Sequence, residues 1–350
     1  MKCREIRDSF LGFFAERGHL IMPGAPLVTD DPTTLFTVAG MQPYIAAFRG
    51  EEKPPAPRVA GIQKCARMGD LERVGRSATH HTFFEMLGNF SFGDYFKQGA
   101  IEYAWEYVVD VLGIPREDLW ITVFQDDDEA ERLWHEHIGV PLQRIVRLGR
   151  GENWWPQERW EGPCGPCTEI HLDFGPGVGC GRPDCSPACE CNRFVELWNL
   201  VFQMYTEAPD GTLTELPAPG VDTGMGLERL AMILQGKRFS AETDEMWRII
   251  ERTIAIARDE WGRELSYGAD PEVDVALRVI CDHARGAAMI TADGIAPTNE
   301  GAGYVLRRFL RRAYRFGLDL GASGPFMYKL LPTVAEVMGE AYPELRERQE

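Results

Sequence analysis

A chain of 350 residues with a net charge of −17 is long enough for one large domain or two smaller ones, each with an apolar core. That acidity excludes a general nucleic-acid binder, whose affinity comes from Lys and Arg neutralising phosphates, so any RNA contact must be local. There is no apolar run of about eighteen residues, and the charged start, Met1-Lys2-Cys3-Arg4-Glu5, lacks a signal peptide's apolar segment, so a cytoplasmic protein without a membrane span is expected.

Ile6, Phe10, Phe13 and Phe14 recur at helical spacing and predict an opening helix that stops at Gly18. Extended, Pro-punctuated sequence follows to about Pro57. Residues 62–67 and 81–87 read as strands around a polar loop at 68–79. Ile101, Ala104, Trp105, Val108 and Leu112 predict a helix ending at Gly113, with Pro115 just beyond, and 119–124 reads as a strand. The Gly-, Pro- and Cys-rich stretch 161–192 reads as loop throughout. Residues 194–205 form a strand apolar on both faces, hence central in its sheet, and Asn199 and Gln203 turn one face toward a polar ligand. Beyond Val221-Asp222-Thr223-Gly224 the pattern is mostly helical. The whole predicts an α+β chain: a mixed antiparallel domain at 1–237, then an all-helical domain at 238–350.

Two units carry candidate chemistry. In QKCARMGDLERVGRSATHHTFFEMLGNFSFGDYF, Arg67 precedes the loop, Arg73 and Arg76 lie within it, and His80, His81 and Glu85 follow. Arginines neutralise phosphate oxygens without reacting, as attack of a carboxylate on an α-phosphate requires. A solvated loop between two strands fits the same spacing. In PGVDTGMGLERLAMIL, Asp222 ends a strand, the glycines admit close backbone approach, and Arg229 rides a helix whose N-terminus favours anions. Ordinary surface charge is the competing reading of Glu228 and Arg229.

Nine cysteines in a chain of this kind read as thiols or metal ligands. Cys180, Cys185, Cys189 and Cys191 offer four thiols within twelve residues, a donor set for structural Zn²⁺, with a reduced loop as the alternative. Cys164 and Cys167 have the spacing of a redox or metal pair. In YVLRRFLRRAYR, Leu306, Phe309, Leu310 and Ala313 form an apolar stripe, flanked by Arg307, Arg311 and Arg315 on one side and Arg308 and Arg312 on the other. Across 276–316 seven arginines stand against three acids, so the helix is either a solvated basic face or an RNA contact.

The two units resemble motif 2 and motif 3 of class II aminoacyl-tRNA synthetases. HHTFFEMLGNFSFGDYFK, GPCGPCTEIHLDFG, ELWNLVFQM, VDTGMGLERL and DHARGAAMITADGIAPTNEGAGYVLRR follow, in order, the pattern of the alanyl-tRNA synthetase family. The likeness runs from the opening helix through DDPTTLFTVAGMQPY to beyond residue 315. It implies a class II antiparallel sheet with flanking helices holding a bent ATP, and a helical domain reading the acceptor stem of tRNA(Ala). It also implies activation of L-alanine to alanyl-adenylate and transfer to the tRNA 3′ end.

Carried onto this chain, the resemblance implies that Arg67 grips the alanine carboxylate and the α-phosphate, Phe90 stacks on adenine, and Arg229 holds the far phosphates, with His81, Glu85 and Gly226 completing the ATP site. Asp222 accepts the α-ammonium group, Trp155, Val201 and Gly224 border the methyl group, and Asn199 points at the substrate. Mg²⁺ accompanies ATP, with Glu85 and Glu196 as candidate ligands. The motif 2 loop is shorter than in some members, which leaves Arg73, Arg76 or His81 to hold the outer phosphates. Asn299, Arg307, Arg311 and Arg315 are expected at the acceptor stem. The family carries GPCGPC as a tight turn lining the site, so Cys164 and Cys167 are expected to be structural. Complete members continue into further tRNA-binding, editing and oligomerising segments, so an excised fragment or a short relative, monomeric and prone to activate serine and glycine, is expected. Two other readings stay open: transfer to a carrier protein, and a catalytically silent RNA-binding or zinc-stabilised module.

Overall fold

The computed structural model describes residues 1–29, 34–157, 161–189 and 191–348. Its strands are β1 (Leu20–Met22), β2 (Arg58–Ala66), β3 (Phe83–Phe92), β4 (Leu119–Phe124), β5 (Ile145–Leu148), β6 (Trp154–Trp155), β7 (Gly162–Asp173), β8 (Phe194–Glu207) and β9 (Leu213–Gly226). They form one sheet in the order β1-β2-β3-β9-β8-β7-β4-β5, with β6 paired to β7. From β2 to β4 every pairing is antiparallel, and only the outermost pairs, β1 with β2 and β4 with β5, are parallel.

The sheet corrects the reading of 161–192 as loop throughout, because 162–173 is a strand inserted between β8 and β4. Its Gly and Pro residues serve a close approach. A Cβ on Gly165 would lie 1.9 Å from the Phe202 carbonyl oxygen, and the register slips between Cys164 and Cys167, where Pro166 is tolerated.

β8 is central, as its two apolar faces predict. A second register shift places Ile170 opposite Trp198 but His171 opposite Glu196, leaving Leu197 as the extra residue. Leu197 and Trp198 both turn into the apolar layer, and Glu196 joins Asn199 and Val201 on the opposite face.

Behind the sheet lies the opening helix, Cys3–Glu16, with Ile6, Phe10, Phe13 and Phe14 buried and Gly18 at φ 78° past its end. Phe10 packs on Phe14, Tyr107 and Trp198 with ring centroids 4.8, 5.6 and 5.8 Å apart, contacts worth about 0.5–1.5 kcal/mol each beyond burial. The helix predicted to end at Gly113 runs over Lys97–Trp105 and widens into a π-helical turn, Glu106–Val111.

After β9 the described residues form helices, chiefly Leu227–Leu234, Asp244–Trp261, Pro271–Ala292, Gly301–Asp319 and Leu331–Met338. None is long and apolar enough to cross a membrane. The Pro271–Ala292 helix is buried nearly all round, yet Arg278, Asp282 and Arg285 recur along it at helical spacing. Each meets a different earlier segment of the chain. Arg278 Nε donates to the Gly75 carbonyl at 2.7 Å, Asp282 accepts from Thr82, and Arg285 pairs with Glu228.

Candidate active site

A cavity of about 600 Å³ opens on the sheet face that carries Glu169, Asn199, Val201, Asp222 and Gly224. The antiparallel ladder assembles this floor in two rows: Glu169 opposite Asn199 opposite Gly224, and Val201 opposite Asp222. Gly224 is needed there, because a Cβ would stand 2.9 Å from the Met86 sulfur. The walls come from Arg67, Arg73, His80, His81 and Phe84 on one side, Trp155 and Gln157 on another, and Gly226 and Arg229 at the start of the 227–234 helix.

Asp222 is 5% exposed, and burial pushes its carboxyl up to about 7, with the Gln203 amide pulling weakly the other way. Among the described residues no cation offsets that burial, so the carboxylate is suited to a cation arriving from solution. Arg67 Nε donates to the Val38 carbonyl at 3.0 Å and its guanidinium lies over the Phe84 ring at 5.2 Å. Its plane is thereby held while the remaining N–H groups stay available for an anion.

Arg229 donates to a Glu196 carboxylate oxygen and to the Glu196 carbonyl, both at 2.8 Å. Burial works against the Glu196 charge, but Arg229 outweighs it and holds the carboxyl below the usual range. Glu169 behaves oppositely: burial raises its carboxyl despite a His171 ring nitrogen at 3.0 Å and donation from Asn199 Nδ2 at 3.0 Å. Asn199 Oδ1 is buried without a hydrogen-bond partner among the described residues. Burial, with Arg73 beside it, pushes the His80 imidazole down to about 4, so that ring is neutral at pH 7.

The structure brings Arg67, His81, Trp155, Asn199, Val201, Asp222, Gly224, Gly226 and Arg229 to this cavity, as well as Glu196 and Arg73. It places three expected residues off this cavity. Glu85 is not on the wall: fully buried behind β3, it receives Arg7 at 2.6 and 2.8 Å and the Tyr342 hydroxyl at 2.9 Å, so it has no oxygen to offer ATP or Mg²⁺. Phe90 is 2% exposed, packs on Tyr44 with centroids 5.0 Å apart, and lines a small separate pocket with Gly40 and Met86. Arg76 is also off the wall and faces Glu272 at 3.6 Å. Glu169 was missed because its strand was hidden by Gly and Pro; its signal is the alternation of Glu169 and His171 across from Asn199.

The four cysteines at 180–191 bring their sulfurs within 4.8 Å of one another, with Cys180 to Cys189 at 3.9 Å and Cys185 to Cys191 at 3.5 Å. Tetrahedral Zn²⁺ with bonds of about 2.3 Å requires sulfurs roughly 3.8 Å apart, so this donor set fits the ion. Cys164 and Cys167 are buried in β7 away from that cluster, and the GPCGPC segment is strand, not a tight turn.

On the 301–319 helix, Leu306, Phe309 and Ala313 are buried and Leu310 half-buried, while Arg307, Arg311 and Arg315 are exposed on one flank. Asn299 accepts a hydrogen bond from Arg307. Arg278 and Arg285, counted in the basic window, are buried and internally paired, so the positive surface belongs to this helix alone.

An antiparallel sheet with a cavity pairing an uncompensated carboxylate with arginines, followed by helices, is the architecture of a class II synthetase catalytic region. The family model described as tRNA synthetases class II (A) matches residues 5–350. An alanine-tRNA ligase of Carboxydothermus hydrogenoformans is 51% identical over 351 residues, covering 100% of this chain and 39% of that protein. One from Desulforamulus reducens is 49% identical over 348 residues, covering 99% of this chain and 39% of the relative. An apo histidyl-tRNA synthetase structure from S. aureus overlaps 73% of this chain and 76% of its own at 12% identity, with a TM-score of 0.39. The chain belongs to the class II synthetases and, within them, to the alanyl-tRNA synthetase family, as its N-terminal region. It spans 39% of the length of these curated relatives.

Proposed function

We propose that the chain activates L-alanine with ATP, forming alanyl-adenylate and pyrophosphate, and passes the alanyl group to a hydroxyl at the 3′ end of tRNA(Ala), with AMP as the leaving group. One observation carries this reading: a buried carboxylate without a cation, Asp222, shares a cavity with Arg67, Arg73 and Arg229. An amino acid supplies the missing ammonium, and its own carboxylate, with the ATP phosphates, is drawn to the arginines.

The alanine carboxylate is ionised at neutral pH and needs no base. One of its oxygens attacks the α-phosphorus as the bond to the pyrophosphate oxygen breaks, and the electron pair leaves with pyrophosphate. Arg67 steadies the alanine carboxylate and the α-phosphate, whereas Arg229 and Arg73 meet the outer phosphates. Asp222 and Asn199 orient the amino acid over Val201, Gly224 and Trp155, which line the same cavity. Mg²⁺ bound with ATP would neutralise phosphate charge, and Glu196 and Glu169 are the wall carboxylates able to hold it.

We further assign residues 1–237 to activation and 238–350 to acceptor-stem recognition through Asn299, Arg307, Arg311 and Arg315. Zn²⁺ held by Cys180, Cys185, Cys189 and Cys191 would clamp the connection between β7 and β8. The test is exchange of labelled pyrophosphate into ATP, followed by transfer of labelled alanine to tRNA(Ala). Alanine-dependent exchange and charging support the reading. Exchange without charging removes the tRNA half, and no exchange removes the whole.

A further inference from the structure

The arginine helix and the ATP cavity are joined by an unbroken hydrogen-bond chain through the buried interior. Arg312, on the 301–319 helix, places Nη1 3.2 Å from His283 Nε2. Arginine can only donate, so His283 Nε2 is an acceptor and its proton sits on Nδ1. That Nδ1 lies 3.0 Å from Asp282 Oδ2. The imidazole is fully buried and stacked on Phe309 at 4.9 Å and 8°, so it has one orientation available.

Asp282 is the hub. Besides His283 it accepts from the Thr82 backbone N–H at 3.0 Å and from the Thr82 hydroxyl, and it faces His81 Nδ1 at 3.1 Å. His81 Nε2 meets the Ser240 hydroxyl at 2.7 Å, and the ring lines the cavity. Both nitrogens of His81 are therefore anchored to the helical part of the chain. With Thr82, His81 sets where β3 begins and where the arginine-bearing loop at 68–79 returns to the sheet.

The outer end is poorly compensated. The Arg312 side chain is 18% exposed, its close partner is a neutral imidazole, and its nearest carboxylate, Glu72 of the 68–79 loop, stands 3.9 Å away. Arg308 shares Glu72 at the same 3.9 Å. An RNA phosphate would complete the coordination of Arg312 more closely than Glu72 does.

We propose that Asp282 and His283 are positioning residues that couple RNA engagement at Arg312 to the ATP site at His81. A phosphate beside Arg312 holds the guanidinium against His283, which steadies Asp282 and through it His81 and Thr82. This rests on the reading of the chain as an RNA-charging enzyme, and it adds that the two sites help each other. Coupling of this kind is reciprocal, so RNA tightens ATP binding by the factor by which ATP tightens RNA binding.

The experiment uses the full chain, a non-hydrolysable ATP analogue and a fluorescent acceptor-stem hairpin of tRNA(Ala). The hairpin Kd is measured with and without the analogue, beside exchange and charging assays. In the parent chain the analogue tightens the hairpin Kd about three- to tenfold. In His283→Asn, whose amide can still donate to Asp282 but offers Arg312 no acceptor in the same place, the factor falls toward one while the hairpin still binds. Arg312→Gln loses the factor too, and the double variant is no worse than either single. Thermal unfolding of each variant within a few degrees of the parent shows that the lost factor is not lost folding.

A parent that charges tRNA but shows no mutual effect overturns the coupling and leaves the function standing. A factor retained in both single variants, or additive losses, overturns the route through His283. A chain that activates alanine but binds no hairpin overturns the coupling together with the tRNA half of the proposed function.

Discussion

Two buried charge clusters meet at β3 and β9, and they are built on opposite rules. Behind the sheet, Arg7 donates to Glu85 and Glu245 at 2.6–2.8 Å, Arg285 pairs with Glu228, and the Tyr342 hydroxyl donates to Glu85 at 2.9 Å. On the cavity side, among the described residues, Asp222 has burial without a cation, Asn199 has an oxygen without a partner, and Arg67 has N–H groups beyond the one bonded to Val38. A satisfied cluster ties elements together, here the opening helix, β3, the 227–234 helix and the helical part. An unsatisfied one is held ready for a ligand, since leaving it bare is unfavourable. The contrast decides why Glu85, chemically as good a metal ligand as Glu196, belongs to the frame.

Disturbing the satisfied cluster should have the largest effect on stability. Glu85→Gln leaves Arg7 and Arg285 undercompensated, and a loss of about 3–5 kcal/mol in chemical denaturation is expected. Glu196→Gln should instead leave stability within about 1 kcal/mol and raise the ATP KM and the Mg²⁺ requirement of exchange. The opposite pattern would return Glu85 to the site.

The unsatisfied cluster should answer in activity. If Asp222 is the ion partner of the substrate ammonium, as proposed, Asp222→Asn is expected to lower kcat/KM for alanine by about 100- to 1000-fold, from roughly 3–4 kcal/mol of lost interaction. The same change should stabilise the ligand-free chain at pH 8. A carboxyl whose folded value is raised is favourable to folding at low pH, and that contribution is lost as pH rises from about 4 through about 7. Calorimetry at pH 5 and pH 8 checks the sign.

Smaller effects test the surroundings. On the proposed pose, discrimination against glycine would rest on one methyl group over Val201 and Gly224, worth about 1–3 kcal/mol, so glycine-dependent exchange should run roughly 10- to 200-fold below alanine in kcat/KM. Metal analysis should find one zinc per chain, falling in Cys191→Ser with a lowered melting temperature and exchange largely retained. A metal-free parent chain would contradict the clamp.

Much of the cavity was legible because its residues sit in short, distinctive surroundings. Asp222, Gly224, Gly226 and Arg229 lie within eight residues, and Asn199 and Val201 declare themselves as a polar and an apolar step on one face of an otherwise apolar strand. What was not legible depends on partners far along the chain. Glu85 meets Arg7, Glu228, Arg285 and Tyr342, none of them near in sequence. Arg278 and Arg285 look like surface charge until the helix bearing them is seen to be enclosed. Strand β7 was hidden by Gly165 and its flanking prolines, which mark a close approach and a bulge as readily as a loop, and Glu169 was hidden with it.

The most direct test of the account is the pH profile of alanine-dependent ATP–pyrophosphate exchange, parent against Asp222→Asn. Because kcat/KM reports the free enzyme, the parent should lose activity as pH falls below about 7, roughly tenfold per pH unit, while kcat changes less because the bound ammonium keeps the carboxylate ionised. The low residual activity of Asp222→Asn should show no such slope. A parent profile flat from pH 5.5 to 8, or exchange that does not require alanine, would contradict the assignment of Asp222 as the ammonium acceptor.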